Sequence, residues 1–277
     1  MALGVHRLMA ARPPARRPFT AWDGPIAMAH RGFSATEALH GLENTLPAFA
    51  AAVDLGYTYL ETDVRATADG RLLAFHDEHL DRVTDGRGLL AQRSWEEVRR
   101  LRLAGREPVP TLEDVLGSFP RARFNLDVKT AAAVAGLEEV LRRTAAHDRV
   151  LVTAFGERRR RAALAAVGGR GAVGATSASS PGTALALAGA GLRTPLLTRL
   201  ALRDVDAVQV PVRRGAVPVV TERFVETVHR AGAQVHVWTV DDPVQMGALL
   251  DLGVDGLITD RADVLKDVLL ARGQWTG

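Results

Sequence analysis

The chain alternates short runs of apolar residues with segments whose apolar residues recur at helical spacing. The apolar runs predict eight strands, at residues 25–30, 57–64, 123–128, 150–154, 172–175, 207–212, 234–240 and 256–259. A short run at 72–75 extends the second strand. Helical patterns follow, at residues 44–55, 111–119, 131–146, 158–166, 182–190, 222–231, 243–252 and 263–271. Strands without polar alternation are typical of a parallel sheet, because both of its faces are covered.

Eight strand–helix units in about 250 residues fit a TIM (β/α)8 barrel, and a doubly wound sheet is the alternative. No linker divides the chain, so we expect residues 25–277 to form one domain. The segment 77–110 is too long for a plain connection between a strand and a helix, and it contains a helical pattern at 94–103. It therefore predicts a small insertion after the second strand. Residues 1–24 are rich in proline and arginine and predict a poorly structured N-terminal arm.

Composition and charge exclude several classes of protein. Apolar residues make up 47% of the chain and charged residues 24%, which are ordinary globular values. The net charge is only +3, so the arginine run at 158–161 predicts a solvated helix face and no nucleic-acid partner. No apolar stretch approaches the ~18 residues of a membrane span, and no secretory signal is recognisable, which predicts a cytoplasmic protein. The absence of cysteine excludes disulfides and zinc–thiolate sites. The sequence leaves the oligomeric state open.

Carboxylates follow the apolar runs of the second and third predicted strands. Glu61 and Asp63 are two residues apart and therefore lie on one face of their strand, and Asp127 ends the next strand. In a barrel these strand ends meet at one mouth, where like charges repel unless a cation or protons neutralise them. Because the chain offers oxygen ligands and no cysteine, the pattern favours a Ca²⁺ or Mg²⁺ site.

Histidines and cations lie at the same strand ends. His30 and His76 follow neighbouring strands and suit an acid–base pair near neutral pH. Arg31 and Lys129 add fixed positive charge that suits a phosphate. Lys129 is one of only two lysines among 35 basic residues, which makes its position at a strand end informative.

Each of these residues also has an ordinary structural interpretation. A single Glu-x-Asp pair is commonly a solvated edge or an ion pair, a lone histidine is commonly structural, and Lys129 would also pair with a carboxylate. It is the joint placement at one barrel mouth that favours a functional site. The remaining histidines lack such support and are expected to be structural or surface residues: His6, His40, His79, His147, His229 and His236.

Residues 29–88 contain, in order, the motifs HRG, ENT, E-x-D-V, T-x-DG and HD-x-x-L-x-R-x-T. Further along the chain come NLDVK, VHVWTVDDP and GVDGLITDRADVL. Together these motifs resemble the glycerophosphodiester phosphodiesterase family, of the bacterial type, over almost the whole chain beyond the N-terminal arm. The resemblance implies a TIM barrel with a small insertion after the second strand, as the hydrophobic pattern predicts.

The family resemblance also implies roles for individual residues. His30 and His76 would be the catalytic histidines, and Arg31 and Lys129 would hold the phosphate. Trp238 would line the apolar side of the pocket, although a core tryptophan is nearly as plausible. The metal ligands would be Glu61, Asp63 and Asp127. Asp127 departs from the family pattern, which usually has glutamate at this position. The side chain of aspartate is shorter by one methylene group.

The leading hypothesis is a metal-dependent hydrolase that converts glycerophosphodiesters into glycerol 3-phosphate and an alcohol. The resemblance implies that the 2-hydroxyl of the substrate's glycerol attacks first and forms a cyclic phosphate. The hypothesis takes His30 as base and His76 as acid, an order that the sequence leaves open. One alternative is a lysophospholipase D or a cyclising phospholipase on the same barrel, although the charged insertion argues against a lid that faces lipid. A more remote alternative is a non-catalytic barrel that binds phosphorylated ligands.

Overall fold

The computed structural model describes residues 17–276 of the chain. Its strands, numbered in chain order, are β1 Ile26–His30, β2 Tyr59–Ala66, β3 Leu72–Ala74, β4 Arg102–Leu103, β5 Glu107–Pro108, β6 Arg123–Val128, β7 Val150–Thr153, β8 Ala175–Thr176, β9 Ala207–Pro211, β10 Arg213–Arg214, β11 Val217–Pro218, β12 Gln234–Trp238 and β13 Gly256–Thr259. Its α-helices are α1 Leu46–Asp54, α2 Trp95–Val98, α3 Leu112–Ser118, α4 Ala132–Ala135, α5 Leu137–Arg143, α6 Glu157–Ala166, α7 Ser180–Gly191, α8 Pro195–Leu202, α9 Glu222–Ala231, α10 Pro243–Asp251 and α11 Ala262–Ala271.

Eight parallel strands form a nearly closed barrel in the order β8-β7-β6-β2-β1-β13-β12-β9. A single parallel bridge between Ser177 and Ala207 joins the two ends of this order. Strand β3 pairs with β2 in the antiparallel direction and lies off the ring. The predicted TIM barrel is confirmed, and the doubly wound alternative is wrong because that sheet would remain open.

The barrel strands form because nearly all of their residues are buried on both faces. Two large apolar clusters lie between the strands and the surrounding helices. A third cluster fills the N-terminal end of the barrel, and Met28, Tyr59, Leu151 and Ile258 belong to it. The barrel is therefore filled at one end, and its polar side chains gather at the other.

Several helices begin where the sequence offers a hydroxyl or carboxylate cap. Thr45 accepts a hydrogen bond from the backbone N–H of Ala48 at the start of α1. Thr111 and Asp114 form the reciprocal capping box that their spacing predicts at the start of α3. These caps fix where each helix leaves the barrel rim.

The segment between β3 and α3 packs around a small apolar cluster of its own. Phe75, Leu80, Leu90, Val98 and Leu103 belong to this cluster. The helix expected at 94–103 is shorter, since α2 covers only four residues. The chain turns into the β4–β5 hairpin instead, because residues 104 and 105 take positive φ angles of 48° and 69°.

Two further elements differ from the sequence prediction. The strand expected at 172–175 is observed at Ala175–Thr176, because a 3-10 turn occupies Arg170–Ala172. Helix α8 was not expected, and it packs beside α7. The close approach of these two helices requires Gly189, where a Cβ atom would lie 2.3 Å from the Thr198 hydroxyl oxygen.

The predicted N-terminal arm falls largely outside the described residues, and its last part differs from the expectation. Phe19 is completely buried at the N-terminal end of the barrel, in edge-to-face contact with the Tyr59 ring at 5.1 Å. The Tyr59 hydroxyl donates a hydrogen bond to the Phe19 carbonyl at 2.7 Å. Trp22 adds a second edge contact to Tyr59 at 5.3 Å. Residues 17–22 therefore pack against the barrel, because their aromatic side chains cover apolar surface at its N-terminal end.

Within residues 17–276, no helix combines the length and the apolar character that a membrane crossing requires.

We expect Phe19→Ala to lower the free energy of unfolding by about 3 kcal/mol, because it leaves a cavity against Tyr59. Urea titration followed by circular dichroism measures this change. As a control, Leu192→Ala at a side chain that is 71% exposed should change it by less than about 0.5 kcal/mol. Equal stability of the Phe19→Ala and Leu192→Ala variants would contradict a structural role for this segment.

Candidate active site

A cavity of about 470 Å³ opens at the C-terminal end of the barrel. Its lining includes all of the site residues that the sequence predicts: His30, Arg31, Glu61, Asp63, His76, Asp127, Lys129 and Trp238. The structure therefore brings together residues that are more than 200 positions apart in the chain. Their individual roles stay predictions.

Strand register explains why the side chains on β1, β2 and β6 converge. Glu61 is paired with His30 on one side and with Asn125 on the other. Two residues further along, Asp63 is paired with Asp127. Since residues two apart share a face, these side chains form two adjacent layers at the mouth.

His30 is oriented by an aspartate at the end of β13. Its Nδ1 lies 2.7 Å from Asp260 Oδ1, and its Nε2 lies 3.8 Å from Glu61 Oε2. Burial lowers the pKa of His30, but the hydrogen bond to Asp260 and the charge of Glu61 outweigh it, so the pKa lies above the ordinary value. Because a carboxylate only accepts hydrogen bonds, Nδ1 carries a proton and Nε2 is the nitrogen available for proton transfer.

His76 has the same arrangement but reaches the mouth by a different route. It follows β3, and the Phe75 backbone N–H donates to the Asp63 carbonyl at 3.0 Å, which folds the segment back toward the barrel. His76 Nδ1 lies 2.6 Å from Asp77 Oδ1, and Arg82 Nε donates to Asp77 Oδ2 at 2.6 Å. The Arg82 hydrogen bond, acting against partial burial, lowers the pKa of Asp77 to about 2. Asp77 therefore stays ionised and fixes the tautomer of His76.

Arg31 leaves β1 in the left-handed region, with φ 54°. Its backbone N–H donates to the Glu61 carbonyl at 3.1 Å, and its Nη1 donates to Glu43 Oε1 at 3.0 Å. The next residue is Gly32, at φ 84°, where a Cβ atom would lie 2.7 Å from the carbonyl carbon of Ala48. Only glycine allows this close approach of the β1 loop to α1, which aims Arg31 into the cavity.

Asn44 is a site residue whose role the sequence analysis missed. Its Nδ2 donates to Asp63 Oδ2 at 3.1 Å, and its Oδ1 accepts from the Thr62 hydroxyl at 2.7 Å. Asn44 itself has φ 61°, a conformation that asparagine tolerates better than most residues. The ENT motif marked this position, but only the fold shows that its side chain orients Asp63.

Lys129 lies between two buried carboxylates. Its Nζ is 2.8 Å from Asp63 Oδ1 and 2.6 Å from Asp127 Oδ2. Burial raises the pKa of Asp63, but Lys129 and Arg31 outweigh it, so the pKa lies below the ordinary value. The ammonium also lies 5.4 Å from the centre of the Phe155 ring. The ordinary structural interpretation of Lys129 as an ion-pair partner is therefore correct, and it is compatible with a role in binding phosphate.

The three predicted metal ligands are adjacent but do not converge on one point. Among residues 17–276, no group of three or more His, Cys, Asp and Glu side chains is close enough together to hold a metal ion. Asp127 nevertheless has a buried Oδ1 without a hydrogen-bond partner among the described residues. Burial, and next the charge of Asp63, raises the pKa of Glu61 to about 7. An oxygen-only donor set with surplus buried carboxylate fits a hard divalent cation.

The opposite side of the cavity is mostly apolar. Phe155 and Trp238 meet edge to face at 5.9 Å, and Leu187 and Val219 continue this wall. Sequence reasoning identified Trp238 but missed Phe155, which follows β7 without a polar neighbour to mark it. The wall is formed by Trp238, the last residue of β12, and by residues that follow β7, β8 and β9. It adjoins the carboxylates where β7 borders β6 and extends from there to the far side of the mouth.

Known sequences resemble this chain over most of its length. The model of the glycerophosphoryl diester phosphodiesterase family matches residues 30–264. A protein of Mycobacterium tuberculosis named "Probable glycerophosphodiester phosphodiesterase 2" is 46% identical over 94% of this chain and 96% of its own length. A glycerophosphodiester phosphodiesterase of Caldanaerobacter subterraneus is 29% identical over 90% of this chain and 99% of its own length.

Solved structures share the fold. A phosphodiesterase of Oleispira antarctica, in complex with the product sn-glycerol-3-phosphate, superposes with a TM-score of 0.70. It is 22% identical to this chain, and the match covers 89% of this chain and 97% of that one. A glycerophosphodiester phosphodiesterase of Agrobacterium tumefaciens has the same TM-score and identity, over 88% of this chain and 98% of its own. With its barrel, its cavity and its sequence matches in agreement, this chain belongs to the glycerophosphoryl diester phosphodiesterase family of enzymes.

Proposed function

We propose that the enzyme hydrolyses glycerophosphodiesters to glycerol 3-phosphate and an alcohol, using His30 and His76 for proton transfer and a divalent metal for charge stabilisation. One observation carries this proposal. Each histidine is held at Nδ1 by an aspartate, Asp260 or Asp77, and both line a cavity that Arg31 and Lys129 also line. Two histidines fixed in this way present two Nε2 atoms to one substrate, as acid–base catalysis requires.

Arg31 and Lys129 are the cations that we propose for the phosphate. Both lie at the cavity with side chains that are 18% and 15% exposed. Their positive charges would offset the charge on the non-bridging oxygens, which grows as phosphorus becomes five-coordinate. The carboxylates that hold both cations keep them in place before the substrate binds.

Glu61, Asp63 and Asp127 are the residues that we propose to hold the metal, Ca²⁺ or Mg²⁺. The support is the unpartnered Asp127 Oδ1 and the surplus of buried carboxylate that the site contains. When bound, such an ion polarises phosphoryl oxygen and stabilises the charge that develops on it.

The proposed reaction has two steps. His30 Nε2 takes the proton of the glycerol 2-hydroxyl as its oxygen attacks phosphorus, while His76 gives a proton to the leaving alkoxide as its bond to phosphorus breaks. The product is a cyclic phosphate and the free alcohol. The histidines then exchange roles: His76 takes a proton from water, which attacks phosphorus, and His30 returns a proton to the 2-oxygen as the ring opens to glycerol 3-phosphate.

The lysophospholipase D alternative gains one supporting observation, because the apolar wall around Phe155 and Trp238 offers contact to an acyl-bearing substrate. The insertion that argued against it lies on the other side of the mouth, after β3. Comparing a deacylated diester with its lysophospholipid therefore decides between the two substrate classes.

We expect His30→Ala and His76→Ala each to lower kcat at least about a hundredfold, because each removes a proton-transfer group. Release of glycerol 3-phosphate from glycerophosphoethanolamine measures this loss. His79→Ala is the matched control, since that side chain is 61% exposed and lies outside the cavity. Near-normal turnover in both site variants, with their unfolding transitions intact, would disprove two-histidine catalysis.

We expect EDTA to abolish turnover and added Ca²⁺ or Mg²⁺ to restore it. Turnover of glycerophosphocholine before and after chelation measures the metal dependence. Turnover of lysophosphatidylcholine under the same conditions measures the preference between the two substrate classes. Full activity after exhaustive chelation would contradict the metal proposal. A strong preference for the lysophospholipid would favour the alternative substrate class.

We expect Asp260→Asn to move the acidic limb of the profile of kcat/KM against pH to lower pH. Asp260 raises the pKa of His30 through its hydrogen bond, so loss of its charge lets His30 lose its proton at lower pH. Movement of the basic limb instead would make His30 the acid. An unchanged profile would show that Asp260 does not control His30.

A further inference from the structure

An arginine lies on the apolar side of the cavity, apart from the cations already described. Arg214 belongs to the short hairpin of β10 and β11 that follows β9, and it is one of the cavity-lining residues. Val219, just after the hairpin, is buried, and its backbone N–H donates to the Val212 carbonyl at 3.0 Å. The hairpin is therefore anchored at its base, which keeps Arg214 at the cavity.

Barrel topology separates Arg214 from the carboxylates. In the ring of eight strands, β9 lies four positions away from β2, which is the opposite side of the barrel. Glu61 and Asp63 are on β2, so Arg214 faces the mouth from the far rim. Among the described lining residues, the acidic side chains are those of β2 and β6, and none lies on the rim that carries Arg214.

Arg214 also differs from Arg31 and Lys129 in its pairing. Those two cations each contact carboxylates at hydrogen-bond distance. In contrast, neither an ion pair nor a hydrogen bond joins the Arg214 guanidinium to any other residue in the range 17–276. Its charge is thus available to a ligand in the cavity.

We propose that Arg214 recognises an anionic group, a carboxylate or a phosphate, on the leaving alcohol of the diester. This inference rests on the proposed function and specifies its substrate class. The proposed reaction places the glycerol half at His30, whose Nε2 takes the proton of the 2-hydroxyl, on the side of the mouth formed by β1 and β2. The leaving alcohol then lies toward the opposite rim of the mouth. There Arg214 attracts a negatively charged head group and repels a cationic one.

Glycerophosphoserine and glycerophosphoethanolamine form a matched pair for the test, because their leaving alcohols differ by a single carboxylate. We expect the wild-type enzyme to have the larger kcat/KM for glycerophosphoserine, and Arg214→Gln to reduce that preference about fivefold, as for a partly exposed charge pair. Arg214→Glu should reverse the preference. In the wild type, the preference should weaken in high salt, because screening acts on this exposed charge.

Arg213→Gln is the matched control. Arg213 lies on the same hairpin and is also exposed, but it is absent from the cavity lining, and its guanidinium donates to the Ala216 carbonyl. This variant should retain the wild-type ratio of the two kcat/KM values. If Arg214→Gln turns over both diesters with the wild-type ratio of kcat/KM values, the inference about Arg214 is wrong, while the proposed function is unaffected. Failure of the folded wild-type enzyme to turn over any glycerophosphodiester would overturn the proposed function and this inference with it.

Discussion

The buried carboxylate of Asp63 is the group on which the geometry of the site depends. Its side chain is 2% exposed, and it contacts Arg31 Nε at 3.1 Å, Asn44 Nδ2 at 3.1 Å and Lys129 Nζ at 2.8 Å. A carboxylate buried without partners costs several kcal/mol, so these contacts are a condition for folding and for the geometry of the site. Arg31 directly follows β1, Asn44 lies two residues before α1, and Lys129 directly follows β6. One charge therefore fixes the ends of three elements relative to each other.

The sequence allowed the barrel and the position of its functional end to be predicted. The apolar runs located the eight strands, and the spacing of Glu61 and Asp63 placed both carboxylates on one face. These inferences succeed because they depend on local geometry, the two-residue repeat of a strand and the common direction of parallel strands. The helix expected at 94–103 is shorter because the chain turns into the β4–β5 hairpin, and Leu103 of that hairpin also forms a bridge with Thr84, which lies outside the predicted helix.

The hydrogen-bond and ion-pair partners of the site residues could not be predicted from the sequence. Nothing local indicates that Asp260, 230 positions after His30, lies at its Nδ1, since that contact exists only when β13 returns beside β1. For Lys129, the sequence indicated an ion pair with one carboxylate as the ordinary structural interpretation, and it did not show that two carboxylates contact the ammonium. Arg214 was one of many arginines, and only the topology of the ring shows that it faces the cavity. Long-range partners depend on the closed fold, whereas strand periodicity does not.

The two histidines belong to different packing units. His30 ends a central strand of the barrel, while His76 follows Phe75, which is buried in the small cluster of the insertion. A small cluster buries less apolar surface, so its local opening costs less free energy than unfolding of the barrel. The proposed acid–base pair thus spans a boundary between a more stable and a less stable packing unit. Its assembly is governed by the weaker unit, even where the barrel itself stays folded.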